Sequence, residues 1–354
     1  MKWTISGSSS LDATLASLAN GREVFALESL ENGTFSFSKA TSWQAGRHTL
    51  GTVRQIEPLK ALFFPAREFI GKWKDPSARE PLPERIVFGV KNCDLSSLGI
   101  FDHVFLHGVC PDPYYAEARE KTILVSTDCS SQLDVCFCTA VGEQPYAREG
   151  FDINIASTPS AYVVEAGSAR GEQLLQSAEQ HLEPLSAELL QTLETQRNRR
   201  SAELVEHCEK HGLEPGSDWQ KAIETSLDSR LWEDFAEDCV ECGACNFICC
   251  TCHCFLLADG LDADGDPART RIWDACLYNG FARTAGGGNP RPLRAERLRN
   301  RFDKKFSYFP QVLGRYACDG CGRCTEACIA KIDIRDVLRS AVDESDALHA
   351  HSGD

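Results

Sequence analysis

The 354-residue sequence has no apolar run long enough to cross a bilayer, so no membrane span is expected. Its first residues, MKWTISGSSSLDATL, carry one early Lys and no continuous apolar stretch. No signal peptide is therefore expected, and the chain reads as cytoplasmic. No G-x-G-x-x-G follows a strand-like segment, and neither a P-loop nor a G-x-S-x-G occurs. These absences remove the sequence signs of a dinucleotide fold, a phosphate-cradling loop and a nucleophile elbow. Any nicotinamide or flavin is expected on another chain of a complex. Cations are outnumbered, 37 Lys and Arg against 52 Asp and Glu. The resulting net charge of −15 argues against nucleic acid as a partner. Methionine occurs once, a scarcity that carries no inference. Cysteine is the opposite case, with eighteen residues. Without a secretion signal, so many cysteines read as reduced thiols or metal ligands rather than disulfides.

Eight of them form two runs of identical spacing. Cys239, Cys242, Cys245 and Cys249 read C-x2-C-x2-C-x3-C, as do Cys318, Cys321, Cys324 and Cys328. This is the bacterial ferredoxin pattern, and two copies imply two [4Fe–4S] clusters, with iron bound through cysteine. Three cysteines spaced by two residues wrap one corner of a cubane, and the fourth reaches the other cluster. Cys239, Cys242, Cys245 and Cys328 are thus expected around one cluster, and Cys318, Cys321, Cys324 and Cys249 around the second. The bland alternative is structural zinc, whose sites pair C-x2-C knuckles and fit the doubled run poorly.

A second constellation lies in the N-terminal half. Cys93 follows the strand-like IVFGV and Cys129 follows TILVS. If those strands are parallel neighbours, both cysteines arrive at one sheet edge. Cys136 and Cys138 come next, in a C-F-C loop, and together the four could hold a third cluster. Buried core cysteine is the competing explanation. Cys252 and Cys254 repeat the theme as C-H-C, and Cys276 is a third candidate ligand. A fourth cluster there would need one more ligand, with Cys250, Asp94 and Asp274 as candidates. His253 reads as a bystander, and Cys110 and Cys208 as structural.

The expected fold class is α+β. Residues 1–170 read as a mixed α/β domain, with a helix over Leu11–Ala19 and strands at Ile86–Val90, Thr122–Ser126 and Ala161–Glu165. Pro-rich loops are expected at Asp75–Pro83 and Val109–Pro113. Residues 171–236 read as a helical connector, with a loop at Gly212–Asp218 whose Ser217 or Asp218 caps the next helix. Residues 237–340 read as a two-cluster ferredoxin-like domain, closed by a helix through Val342, and 341–354 as a frayed polar tail. A long insertion, about Phe255–Ala317, splits the two cysteine runs. It ends in a basic stretch holding Arg291, Arg294, Arg297, Arg299, Arg301, Lys304 and Lys305. Those cations either act on a cluster or an acidic partner, or form a solvated helix face paired with Glu296 and Asp303.

The stretches FFPAREFI, FGVKNCDLSSL, PYYAEAREKT, CFC, CxxCGAC, CxCF, RIWDAC, AGGGNPR and CDGCGRC occur in one order. That order resembles the iron–sulfur β subunits of soluble cytoplasmic NiFe (sulf)hydrogenases and the corresponding iron–sulfur subunit of anaerobic sulfite reductase. The resemblance runs from about Leu62 to Leu338. It implies an electron-transfer subunit, without independent catalytic activity, that connects a flavin- and NAD(P)-binding subunit to a catalytic subunit. It further implies that the eight ferredoxin-type cysteines, Cys93, Cys129, Cys136, Cys138, Cys252, Cys254 and Cys276 match family cysteines, whereas Cys110, Cys208 and Cys250 do not. The family usually has Pro after each run, where this chain has Cys250 and Ile329, and often His where it has Gly288. Those departures suggest a divergent branch that serves another catalytic partner, such as a heterodisulfide-reductase-like module. Two competing functions remain: an enzyme whose site-differentiated cluster binds substrate, and a zinc-stabilised scaffold.

Overall fold

The computed structural model describes residues 2–75 and 80–351. Residues 76–79 of the expected Asp75–Pro83 loop lie outside the described residues. The architecture is mixed α and β throughout. Among the described residues, a nine-stranded mixed sheet organises the N-terminal half. Its centre is parallel: Glu23–Ser29, Arg85–Val90, Thr122–Thr127 and Ile153–Ser157 run side by side.

The central strands Arg85–Val90 and Thr122–Thr127 are buried at every position, which is why RIVFGV and TILVST are nearly continuous apolar runs rather than alternating ones. Alternation decides which face each residue serves. Ile86, Phe88, Ile123 and Val125 pack with Leu11, Leu15 and Leu18 of the helix Ser8–Ala19. Val87, Val90 and Leu124 pack instead with Leu95, Leu98 and Phe101 of the helix Asn92–Phe105. Fully burying each such side chain is worth about 1.5–3 kcal/mol. Arg85–Val90 and Thr122–Thr127 are adjacent and parallel, pairing Arg85 with Thr122 and Val87 with Leu124. Their carboxyl ends therefore deliver Cys93 and Cys129 to the same edge, as the sequence pattern requires.

The segment from Ala169 to Glu237 is mostly helical, with one short strand at Glu183–Pro184. Ser168 and Ser186 cap the helices Ala169–Gln176 and Ala187–Lys210, and Asp218, not Ser217, caps Trp219–Thr225. The last of these packs into a second core with Trp232, Phe302, Phe306, Val337 and Leu338. The closing helix is longer than expected. It runs Ile334–His351, so the residues from Asp343 to His351 continue the helix rather than fray, and 352–354 of the expected tail lie outside the described residues. The stripe Ile334, Val337, Leu338 and Ala341 keeps its inner face buried.

The insertion starts with a hairpin, Phe255–Leu261 and Pro267–Trp273, whose second strand pairs with Arg67–Lys72 of the N-terminal half. The insertion thereby adds a three-stranded sheet that fastens the cysteine runs to the α/β half. It then forms the helix Arg294–Asp303, extended by a wider turn over Lys304–Tyr308.

Candidate metal centres

In each cysteine run a left-handed glycine, Gly243 or Gly322, is followed by a four-residue helix, Ala244–Phe247 or Arg323–Glu326. This turn wraps the first three cysteines around a hollow. Cys239, Cys242 and Cys245 line one cavity, and Cys328 of the other run lines it with them. Cys318, Cys321 and Cys324 line a second cavity together with Cys249. Each fourth cysteine thus crosses to its neighbour's cavity. Cys324 lies on the wall common to both.

Cys93, Cys129, Cys136 and Cys138 line a third cavity, and Cys321 stands on its wall. The C-F-C loop is held against the second run by the Phe137 amide, which donates to the Gly320 carbonyl at 2.8 Å. Gly320 has φ +63°, and a Cβ there would lie 2.4 Å from the Cys138 Cα. Only glycine permits this approach. Beside it the buried Arg323 guanidinium meets Asp94 at 2.7 Å and donates to the Gln55 carbonyl at 3.0 Å.

Cys252, Cys254 and Cys276 line a fourth cavity. None of the three candidates for a further ligand lines it. Cys250 turns the other way, donating to Asp319 Oδ2 at 3.4 Å with its Sγ 3.8 Å from Cys321 Sγ. Asp94 is committed to Arg323 and Gln55, and Asp274 Oδ1 accepts from the Ala275 amide. His253 does line the cavity, but its Nδ1 is 3.0 Å from the Thr251 carbonyl and its Nε2 accepts from Lys304 at 2.9 Å. Burial pulls His253 down to about 3, so it is neutral.

A family profile described as a 4Fe-4S dicluster domain matches residues 238–332. Over 309 residues the chain is 30% identical to sulfhydrogenase 2 subunit beta of Pyrococcus furiosus, covering 87% of this chain and 89% of that protein. The chain belongs to the sulfhydrogenase beta-subunit family. Its cofactors are accordingly 4Fe–4S clusters.

The donor chemistry of this sulfhydrogenase-family chain fits such clusters. All eighteen cysteines are free. Burial pushes the Cys93, Cys138 and Cys318 thiols well up, Cys136 and Cys324 to about 11 and Cys245 to about 12. As free thiols these groups keep their protons; binding metal displaces them and charges the sulfur. Cations are already in place for that charge. Lys305 Nζ donates to Cys249 Sγ at 3.3 Å, and Arg301 Nη1 to Cys252 Sγ at 3.6 Å. Lys60 Nζ donates to the Cys252 carbonyl at 2.9 Å from a position 4.2 Å above the Trp273 ring. Lys91, fully buried, lies near Cys129 and Cys93, whose sulfurs would turn anionic on binding metal, and near Asp128. Burying so many cations is costly unless anions accompany them, and a thiolate-bound cluster carries net negative charge.

The basic stretch resolves between its two readings by residue. Arg297, Arg301 and Lys305 are buried and face inward, whereas Arg291 is exposed. Glu296 serves the helix start instead, accepting from the Leu293 amide at 2.9 Å. Sequence reasoning missed Lys60, Lys91 and Asn246, the last donating to Cys276 Sγ at 3.1 Å. It also missed an oxygen and nitrogen group at the surface, where Asp134, His207 and His211 bring ligand atoms within 4.8 Å of one another. The i, i+4 histidines on a helix were the available signal there. Cys110 is exposed and Cys208 is buried beside Thr139, and neither lines any of the four cavities.

Proposed function

We propose that the chain is the iron–sulfur electron-transfer subunit of a cytoplasmic oxidoreductase complex, carrying four [4Fe–4S] clusters. The observation that carries this reading is the contiguity of the four cysteine-lined cavities. Cys321 belongs to the walls of both the N-terminal and the second-run cavities. Cys324 belongs to the walls of the second-run and first-run cavities. Asn246 links the fourth cavity, through Cys276 Sγ at 3.1 Å, to Cys245 Sγ at 3.9 Å. The first-run site of this series reaches the surface: Cys242 is exposed, flanked by Val240 at 61% and Ile329 at 71% exposure. That apolar rim suits contact with a redox partner.

The residues in this reading divide the work. Fifteen cysteines hold the clusters: Cys239, Cys242, Cys245 and Cys328; Cys318, Cys321, Cys324 and Cys249; Cys93, Cys129, Cys136 and Cys138; and Cys252, Cys254 and Cys276. Phe302, Ile332 and Ile334 keep water from the first. When bound, the clusters supply reversible one-electron storage, with potentials set by net charge, hydrogen bonds and burial. The partners on this reading are a flavin- and NAD(P)-binding subunit together with a catalytic one, a NiFe hydrogenase as the resemblance implies; the relative's name is that of a sulfhydrogenase subunit. A sulfite reductase or heterodisulfide-reductase-like complex would use the same subunit design.

The three-cysteine cavity favours a second reading, in which that cluster keeps one iron open to substrate. Anaerobic purification from the native source, followed by assay of the complex and of the isolated chain, separates the two. The electron-transfer reading predicts co-purification with a flavoprotein and a large catalytic subunit, and no turnover by the isolated chain. Turnover of sulfite, a disulfide or hydrogen by the isolated chain would overturn it.

A further inference from the structure

Arg301 stands where three of the cysteine-lined cavities meet. It lines the first-run cavity, the second-run cavity and the three-cysteine cavity. It is 4% exposed, and among the described residues no carboxylate pairs with it. Its side chain donates to a sulfur, Cys252 Sγ at 3.6 Å. Cys245, Cys252, Cys324 and Cys249, which between them belong to all three cavities, are the groups whose ionisation on binding metal would favour its cation. A guanidinium stays charged at any ordinary pH and carries five donors in a rigid fork. Burying one without a carboxylate is expensive, so its countercharge must be the sites themselves.

The same helix face grades this effect turn by turn. Arg297, one turn earlier, is spent on Glu241 and on the Leu277 carbonyl at 3.0 Å. Lys305, one turn later, reaches the second-run and three-cysteine cavities alone. The N-terminal cavity is lined by neither Arg301 nor Lys305. The buried cation that lines it is Arg54, which donates to the Cys321 carbonyl at 2.6 Å and pairs with Glu326.

We propose that Arg301 is a shared counter-cation that holds up the reduction potentials of three iron–sulfur sites together and leaves the N-terminal site outside its reach. The proposal rests on the reading that these cavities hold clusters. A fixed positive charge in a low-dielectric setting stabilises the added electron at each neighbouring site. Arg301 thereby keeps the three sites within a common potential range, so that an electron can pass among them in either direction. It acts as a positioning and tuning residue, not as a ligand.

The test is a redox titration followed by EPR on anaerobically purified wild type, Arg301→Gln and Arg301→Lys, with iron and sulfide measured on each. Arg301→Gln is expected to move three midpoint potentials to more negative values and leave one unmoved. Arg301→Lys keeps the charge but loses the fork, and is expected to fall between. If Arg301→Gln takes up no iron, Arg301→Met, which also removes the charge, carries the test with the same readings. Unchanged midpoints, or an equal shift of all four, would overturn the proposal. A wild type without labile sulfide would instead overturn the cluster reading on which it rests.

Discussion

Replacing Gly320 by alanine is a test of the joint between the two halves. A Cβ at this residue would lie 2.4 Å from the Cys138 Cα, 2.5 Å from its amide nitrogen and 2.6 Å from the Phe137 carbonyl carbon. All three are backbone atoms, so no side chain can swing aside. Restoring an ordinary contact of 3.4 Å requires the C-F-C loop to retreat by the difference, 3.4 − 2.4 = 1.0 Å. Metal ligands tolerate deviations of only about 0.2 Å. The left-handed backbone at φ +63° adds a second penalty. Together the two cost about 2–5 kcal/mol, from about 1–2 for the backbone and about 1–3 for overpacking. Gly142 supplies the control. It is also left-handed, at φ +86°, and closes the same loop, yet a Cβ there meets nothing within 4 Å. Gly142→Ala should therefore show the backbone penalty alone and keep its iron. Gly320→Ala should lose the N-terminal cluster, about four irons per chain. Iron analysis and EPR of the reduced proteins read both. Equal iron content in the two variants would refute the argument that close approach at Gly320 aligns Cys136 and Cys138.

The remaining predictions concern charge and the cysteines outside the cavities. Asp94→Asn should destabilise the protein by about 3–5 kcal/mol in anaerobic urea unfolding, because it strands the buried Arg323 cation 2.7 Å away. The double variant with Arg323→Met should recover part of that loss, and a cost below about 1 kcal/mol for Asp94→Asn would contradict the pairing. Cys110→Ser and Cys208→Ala should retain the full wild-type complement of iron and sulfide. A loss of iron in either would mean that a ligand has been misassigned.

The parts of the site that could be read from the sequence are those fixed by local geometry. Three cysteines at two-residue spacing must wrap one centre, so the two runs and the crossing of Cys249 and Cys328 follow from spacing alone. Cys93 and Cys129 were legible for a related reason. Two strongly apolar strand patterns, each followed closely by a cysteine, become neighbours in a parallel sheet. What stayed hidden depends on contacts between distant segments. Arg67–Lys72 and Pro267–Trp273 share a sheet across about two hundred residues, and neither carries a sign of its partner. The inward face of Arg297, Arg301 and Lys305 has the i, i+4, i+8 spacing of one helix stripe. A charged stripe ordinarily faces solvent, and here it faces cysteine-lined cavities instead. The fourth ligand of the Cys252, Cys254 and Cys276 site was not decidable, because Cys250 sits one residue from a ligand yet turns toward Asp319. The tail after Asp343 was read as frayed from its polarity, although the apolar stripe of the closing helix carries the chain on to His351.

Four contiguous cysteine-lined cavities, each holding a cubane cluster, are what the proposed electron path requires. Iron and labile-sulfide analysis of the anaerobically purified chain, joined to Mössbauer spectroscopy, tests this most directly. About sixteen irons and as many sulfides per chain are expected, all in [4Fe–4S] form. About eight irons, with zinc or empty thiols at the N-terminal and three-cysteine sites, would contradict it.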